Sequence, residues 1–120
     1  MKTLILADDE PNLRMLARIT LEDPKYRIIE AADGTVALEL ARLEHPDLLV
    51  LDWMMPGMSG IEVARSLRQD PATASIPIIM LTSKGQEADK EQGRAIGAYA
   101  YLVKPFSPLE LLAKVAQVLQ

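Results

Sequence analysis

Five short apolar runs of about 5 residues punctuate the chain, and a helical pattern fills every gap between them. The runs occupy residues 3–7, 26–31, 48–51, 77–81 and 98–103. Strict alternation of strand and helix predicts parallel strands joined by right-handed crossovers. The result is a doubly wound α/β sandwich with helices on both faces of a five-stranded sheet. Leu48-Leu49-Val50-Leu51 is apolar throughout, as a strand covered on both faces must be. Tyr26-Arg27-Ile28-Ile29-Glu30 is more polar and reads as an edge strand.

The helical segments differ in strength. Residues 11–21 place Leu13, Leu16, Ala17 and Leu21 on one face behind Pro11, a residue suited to a first turn. Residues 35–43 carry Val36, Ala37, Leu40 and Ala41, and the helix after Ser59 turns Ile61, Ala64 and Leu67 inward. Ser59 and Glu62 have capping-box spacing, as do Ser107 and Glu110, with Pro108 at the first position of a last helix that buries Leu111, Leu112, Val115, Val118 and Leu119. The segment 86–96 is mostly charged and offers only Ala88, Ala95 and Ile96 for packing, which predicts a loosely held helix.

At 120 residues and 49% apolar content, the chain suits one globular domain over residues 1–120. Zero cysteines exclude a disulfide framework, thiolate zinc and a cysteine nucleophile. The opening MKTLILADD is too soon acidic for a signal peptide, and no run approaches the ~18 apolar residues of a membrane span, so a cytoplasmic protein is expected. A net charge of −4 without a basic run argues against direct nucleic-acid binding. His45, before Pro46, reads as a surface residue, and Arg65 and Arg68 as a solvated face.

In an open parallel sheet, ligands bind beyond the carboxyl ends of the strands where the strand order reverses. Four of the five runs stop on a reactive or hydrogen-bonding residue: Asp8 and Asp9 after the first, Asp52 after the third, Thr82 after the fourth and Lys104 after the fifth. The order 2-1-3-4-5 makes the first and third strands neighbours and sets Asp8 and Asp9 beside Asp52. Three carboxylates at that range repel one another unless a cation joins them, which predicts a divalent ion, Mg²⁺ by its preference for hard oxygens. A carboxylate beside Mg²⁺ can attack a phosphoryl group and form an acyl phosphate. Asp52 is the best-placed nucleophile. Lys104 can pair with one phosphoryl oxygen, and the Thr82 hydroxyl can donate to another.

Together ADDEPN, LDWMMPGMSG, IIMLTS and YLVKPF resemble, in order and over essentially the whole chain, the receiver domains of two-component response regulators, the CheY-like superfamily with its flavodoxin-like sheet. The resemblance implies that Asp8 and Asp9 are metal-binding acids, Asp52 the phosphorylated residue and Met54 the donor of a backbone carbonyl to Mg²⁺. It makes Thr82, Tyr101 and Lys104 the switch hydroxyl, switch aromatic and essential lysine. It also implies a cis Lys104-Pro105 bond and a phospho-His donor on a sensor histidine kinase or histidine phosphotransfer protein, with an output domain or target protein that the sequence does not name. Such a domain assists its own phosphorylation and dephosphorylation without being a turnover enzyme. Tyr99 departs from the pattern, where a small acidic residue is expected on the partner-facing surface.

Taken singly, each of these residues has an ordinary explanation. Asp8 and Asp9 suit the start of a helix, Thr82 a cap, Lys104 a turn, Tyr101 an edge aromatic over the core, and the methionines around Pro56-Gly57 adaptable packing. Complementary groups at four separate strand ends are what favour a joint site. Among rival functions, a haloacid-dehalogenase-like Mg²⁺ phosphatase needs an acid two residues after its nucleophile, where Met54 stands. A flavodoxin needs a Ser, Thr and Gly-rich loop where ADDEPN stands, and an interaction module without phosphorylation has no use for Asp52, Thr82 and Lys104. In the expected switch, a phosphoryl group draws Thr82 inward and Tyr101 follows toward the core. The output is then the face formed by the fourth helical segment, the fifth strand and the last helix, which is also where phosphorylation-dependent homodimerisation would occur. Met54 and Lys84, each two residues past a site residue, are expected to flank the path of attacking water.

Overall fold

The alternation of short apolar runs and helical patterns becomes three layers in the computed structural model, which describes residues 1–83, 94 and 96–120. The elements run β1 (Lys2–Ala7), α1 (Pro11–Leu21), β2 (Tyr26–Ala31), α2 (Gly34–Glu44), β3 (Leu48–Asp52), α3 (Gly60–Gln69), β4 (Ile78–Thr82), β5 (Ala100–Val103) and α4 (Pro108–Leu119). All pairings are parallel, and the sheet order is β2-β1-β3-β4-β5. The polar strand β2 is an edge, as its composition predicts. The loosely apolar segment 86–96 and Lys84 fall largely outside the described residues; of that segment Arg94 is exposed and Ile96 is buried.

Alternation along the strands divides the core in two. Ile5, Leu49, Leu51, Ile78 and Met80 face α2 and α3 and meet Ala37, Ala41, Ile61, Ala64 and Leu67. Leu4, Leu6, Leu48, Val50, Ile79 and Leu81 face α1 and α4 and meet Ala17, Leu21, Leu111 and Val115. All residues of β3 and β4 are buried, and each Leu or Ile so covered contributes about 1.5–3 kcal/mol. These strands are the most fully covered part of the frame.

Helix termini follow local chemistry. Ser59 and Glu62 form both halves of a capping box, whereas Ser107 contributes the hydroxyl half, accepting the Glu110 N–H at 3.4 Å. The α2 cap, not foreseen in the sequence, is Asp33, whose carboxylate accepts the Val36 N–H. Three residues expected to face inward do not: Leu16 is 42% exposed, Val36 38% and Leu112 39%. The buried stripe of α1 runs through Ala17 and Leu21, that of α2 includes Leu38, and that of α4 runs through Leu111, Val115 and Leu119, each narrower than helical periodicity alone suggests. Arg68 also departs from the solvated face assigned to it. Its guanidinium donates to the carbonyls of Ala74, Ile76, Ile96 and Gly97 at 2.7–3.3 Å and ties the end of α3 to the approaches of β4 and β5.

Candidate functional site

Each site residue sits where strand pairing runs out. The Asp8 N–H bonds the Ala31 carbonyl at 3.1 Å, extending the β1–β2 ladder by one residue, and Asp52 is the last residue of β3, in register with Leu81 of β4. Beyond it the Trp53 N–H bonds the Leu81 carbonyl at 2.8 Å. From β5 the Lys104 N–H bonds the Thr82 carbonyl at 2.6 Å, so the backbone bearing the lysine hangs on the backbone bearing the threonine. The Lys104-Pro105 bond is cis, in agreement with the sequence expectation.

The carboxylates of Asp8, Asp9 and Asp52 converge, with one oxygen of each lying within 4.8 Å of the others. Asp8 and Asp52 are buried and Asp9 is exposed. The Lys104 ammonium lies 3.1 Å from Asp8 Oδ2 and 3.1 Å from Asp52 Oδ2. Burial first, and the Asp8 charge second, push the Asp52 carboxyl up to about 7 against the pull of Lys104. Burial also works against the Lys104 charge, yet Asp52 and Asp8 together outweigh it and raise the lysine above its ordinary value.

The lysine does not satisfy this cluster. Asp8 Oδ2 is held by the Lys104 ion pair at 3.1 Å and takes no other partner among the described residues, which leaves coordination capacity on a buried oxygen. A buried carboxylate oxygen held only by one lysine, beside two further acids, is a hard-oxygen donor set, and it fits Mg²⁺.

Thr82 is buried at the end of β4. Tyr101 of β5 is half-buried and packs against the core beneath α2 and α3, so it is already partly inserted rather than wholly at the surface. The side chain of Met54 is exposed, while its neighbours Trp53 and Met55 are buried. Tyr99 is exposed, and its hydroxyl reaches Gln117 Oε1 on α4 at 3.3 Å.

Sequence reasoning missed two kinds of supporting residue. Gly60, the first residue of α3, donates its N–H to the Trp53 carbonyl at 2.8 Å, and a methyl group there would collide with the Asp52 carbonyl. Gly60, the last residue of LDWMMPGMSG, was legible as part of the motif; what the sequence did not show is its reason, this close approach across the loop. Arg14 and Glu30 lack a local signal, because they meet across 16 residues of sequence and Arg14 reaches the Asp8 carbonyl only once α1 has folded back against the end of β1.

The sheet order, the acidic crevice and the lysine bridging two of its acids define a phosphoacceptor class of parallel α/β domain. Residues 4–116 match the family model of the response regulator receiver domain, and the chain belongs to that family. Over 119 residues it is 47% identical to the phosphate regulon transcriptional regulatory protein PhoB of Pseudomonas aeruginosa, covering 99% of this chain and 52% of the relative. It is 44% identical to the alkaline phosphatase synthesis transcriptional regulatory protein PhoP of Bacillus subtilis, covering 99% of this chain and 49% of the relative. The chain thus spans about half the length of these relatives. Among solved structures, the chemotaxis protein CheY4 of Vibrio cholerae superposes with a TM-score of 0.90 at 36% identity, covering 99% of both chains. A response regulator from Chloroflexus aurantiacus also gives 0.90, at 35% identity over 98% of this chain and 96% of that one. The domain is therefore a receiver of two-component signalling, a family of phosphoacceptor switches. Among the described residues, no helix is long and apolar enough to cross a membrane.

Proposed function

We propose that Asp52 is the phosphoacceptor of this receiver domain and takes its phosphoryl group from a phospho-His on a sensor histidine kinase or histidine phosphotransfer protein in the cytoplasm. The observation that carries the reading is the Lys104 ammonium, 3.1 Å from both the Asp52 and the Asp8 carboxylate in a crevice of three acids. An oxygen of Asp52 attacks phosphorus, the P–N bond breaks, and its electron pair stays on the imidazole nitrogen. Lys104 is placed to move its charge from the carboxylates to an incoming phosphoryl oxygen, and the Thr82 hydroxyl to donate to another.

Asp8, Asp9, Asp52 and the Met54 backbone carbonyl are the groups that would hold Mg²⁺. When bound, the ion neutralises charge on the phosphoryl group and favours the ionised form of Asp52. That second effect matters because burial and the Asp8 charge raise the Asp52 carboxyl, and a protonated carboxyl is a poor nucleophile. The chain's own part is to hold the acids together, hold the lysine between them and bury the nucleophile.

The signal then passes along β4 and β5. A phosphoryl oxygen drawing Thr82 toward Asp52 pulls on the backbone bond from Lys104 to Thr82 and makes room for deeper insertion of Tyr101. The altered surface acts on an output domain, a target protein or a second copy, without direct contact to nucleic acid and without turnover of a substrate. Intact mass after treatment with acetyl phosphate and Mg²⁺ tests the reading. The wild-type domain should gain one phosphoryl group and Asp52→Asn none; equal modification of both would remove Asp52 from the reaction. Thr82→Ala should still gain the group but lose the tyrosine spectral change.

A further inference from the structure

We infer that Arg14 is a positioning residue that sets the Asp8-Asp9 turn for cation binding by clamping it to the end of the edge strand β2. This inference rests on the reading of the acids as a Mg²⁺ site. The paired β1–β2 ladder ends at Ala7 and Ala31, and the Asp8 N–H still finds the Ala31 carbonyl, but the Asp8 carbonyl has passed the last strand partner. Arg14 supplies the missing donor. Its Nη1 donates to that carbonyl at 2.7 Å, while its Nε donates to Glu30 Oε1 at 3.0 Å. Arg18, one turn further along α1, bonds Glu30 Oε2 at 2.9 Å, so both carboxylate oxygens of Glu30 are taken by α1. Glu30 immediately precedes Ala31, the residue that holds the Asp8 N–H.

Both polar groups of the Asp8 backbone are thus tied to the end of β2, one directly and one through a guanidinium. The Asp8 side chain is held as well, since its Oδ1 accepts the Glu10 N–H at 2.9 Å. Asp9 is different. Its carboxylate is exposed and takes no hydrogen bond from a described residue, so its aim depends on the peptide plane between Asp8 and Asp9. That plane contains the carbonyl Arg14 holds. The planar fork suits two acceptors at a fixed angle, a geometry that a lysine cannot reproduce.

Charge and position make opposite predictions here. A guanidinium near an acidic site repels Mg²⁺, so loss of its charge alone tightens binding; loss of an aimed carbonyl and carboxylate weakens it. Residues that support metal ligands from behind typically change affinity by about 10–100-fold. The test is a Mg²⁺ titration followed by amide chemical shifts, with thermal melts of each variant in parallel. Arg14→Gln is expected to bind Mg²⁺ about tenfold more weakly than wild type. Arg14→Lys, which keeps the charge and protects the test against misfolding of the glutamine variant, is expected to bind about threefold more weakly. Wild-type affinity in Arg14→Lys, or equal or tighter affinity in Arg14→Gln, overturns the clamp. A wild-type domain whose Asp8 and Asp9 amides ignore Mg²⁺ overturns the metal reading, and the clamp with it.

Discussion

Asp8 and Asp52 emerge from β1 and β3, strands with partners on both sides whose final residues are buried, whereas Lys104 emerges from β5, an edge strand only partly covered. Of the four β5 residues only Leu102 is buried, and Val103 is 41% exposed. The acids are fixed by a frame that cannot shift without opening the core, while the lysine and Tyr101 ride on a strand paired on one side. With Asp52 as the proposed phosphoacceptor and Tyr101 as the proposed reporter, the switch uses both properties: the reacting oxygens stay in place while the reporting side chain responds.

Truncation measures the contrast most directly. Leu51→Ala should cost about 2–5 kcal/mol, because it empties a fully buried site beneath the crevice. Val103→Ala on the edge should cost less than about 1 kcal/mol in the same melt. Equal losses would erase the distinction between frame and edge. Gly60→Ala tests the frame at Asp52 itself. The added methyl must displace the Asp52 carbonyl, at a cost of about 1–3 kcal/mol, and phosphorylation monitored by intact mass should slow with it.

The electrostatic strain of the frame has a pH signature. The folded Asp52 carboxyl keeps its proton up to about 7, against 3.8 as the ordinary value. Between these values the folded state holds more protons than the unfolded one, so stability falls as pH rises across this window and this contribution is fully present only below it. Asp52→Asn in the absence of Mg²⁺ should remove that slope and raise stability above about pH 7 by about 1–3 kcal/mol in urea titrations. A wild-type profile without such a slope would show that Lys104 fully compensates the buried pair. The smallest effect belongs to the edge: Tyr99→Phe loses one exposed hydrogen bond to Gln117 and should shift the melt by less than about 0.5 kcal/mol.

Much of this organisation was legible in the residues. Strand runs ending in Asp8, Asp52, Thr82 and Lys104 announced parallel strands with one chemical edge, because strand length and apolar patterning are local properties. The edge character of β2 was likewise visible in Arg27 and Glu30. The inward faces of the helices were less so: periodicity placed Leu16 and Leu112 inside, but only the contact between α1 and α4 decides where each buried stripe ends.

What tertiary structure alone decided is the set of close approaches between distant segments. The lysine midway between Asp8 and Asp52, the Gly60 backbone against the Asp52 carbonyl, and the Arg14 and Arg68 guanidinia on carbonyls elsewhere in the chain have no local signal. Local chemistry determines which groups arrive at the sheet edge. Their separations, and therefore the raised Asp52 carboxyl and the Asp8 oxygen held by one lysine alone, exist only once packing has brought those segments together and shut water out.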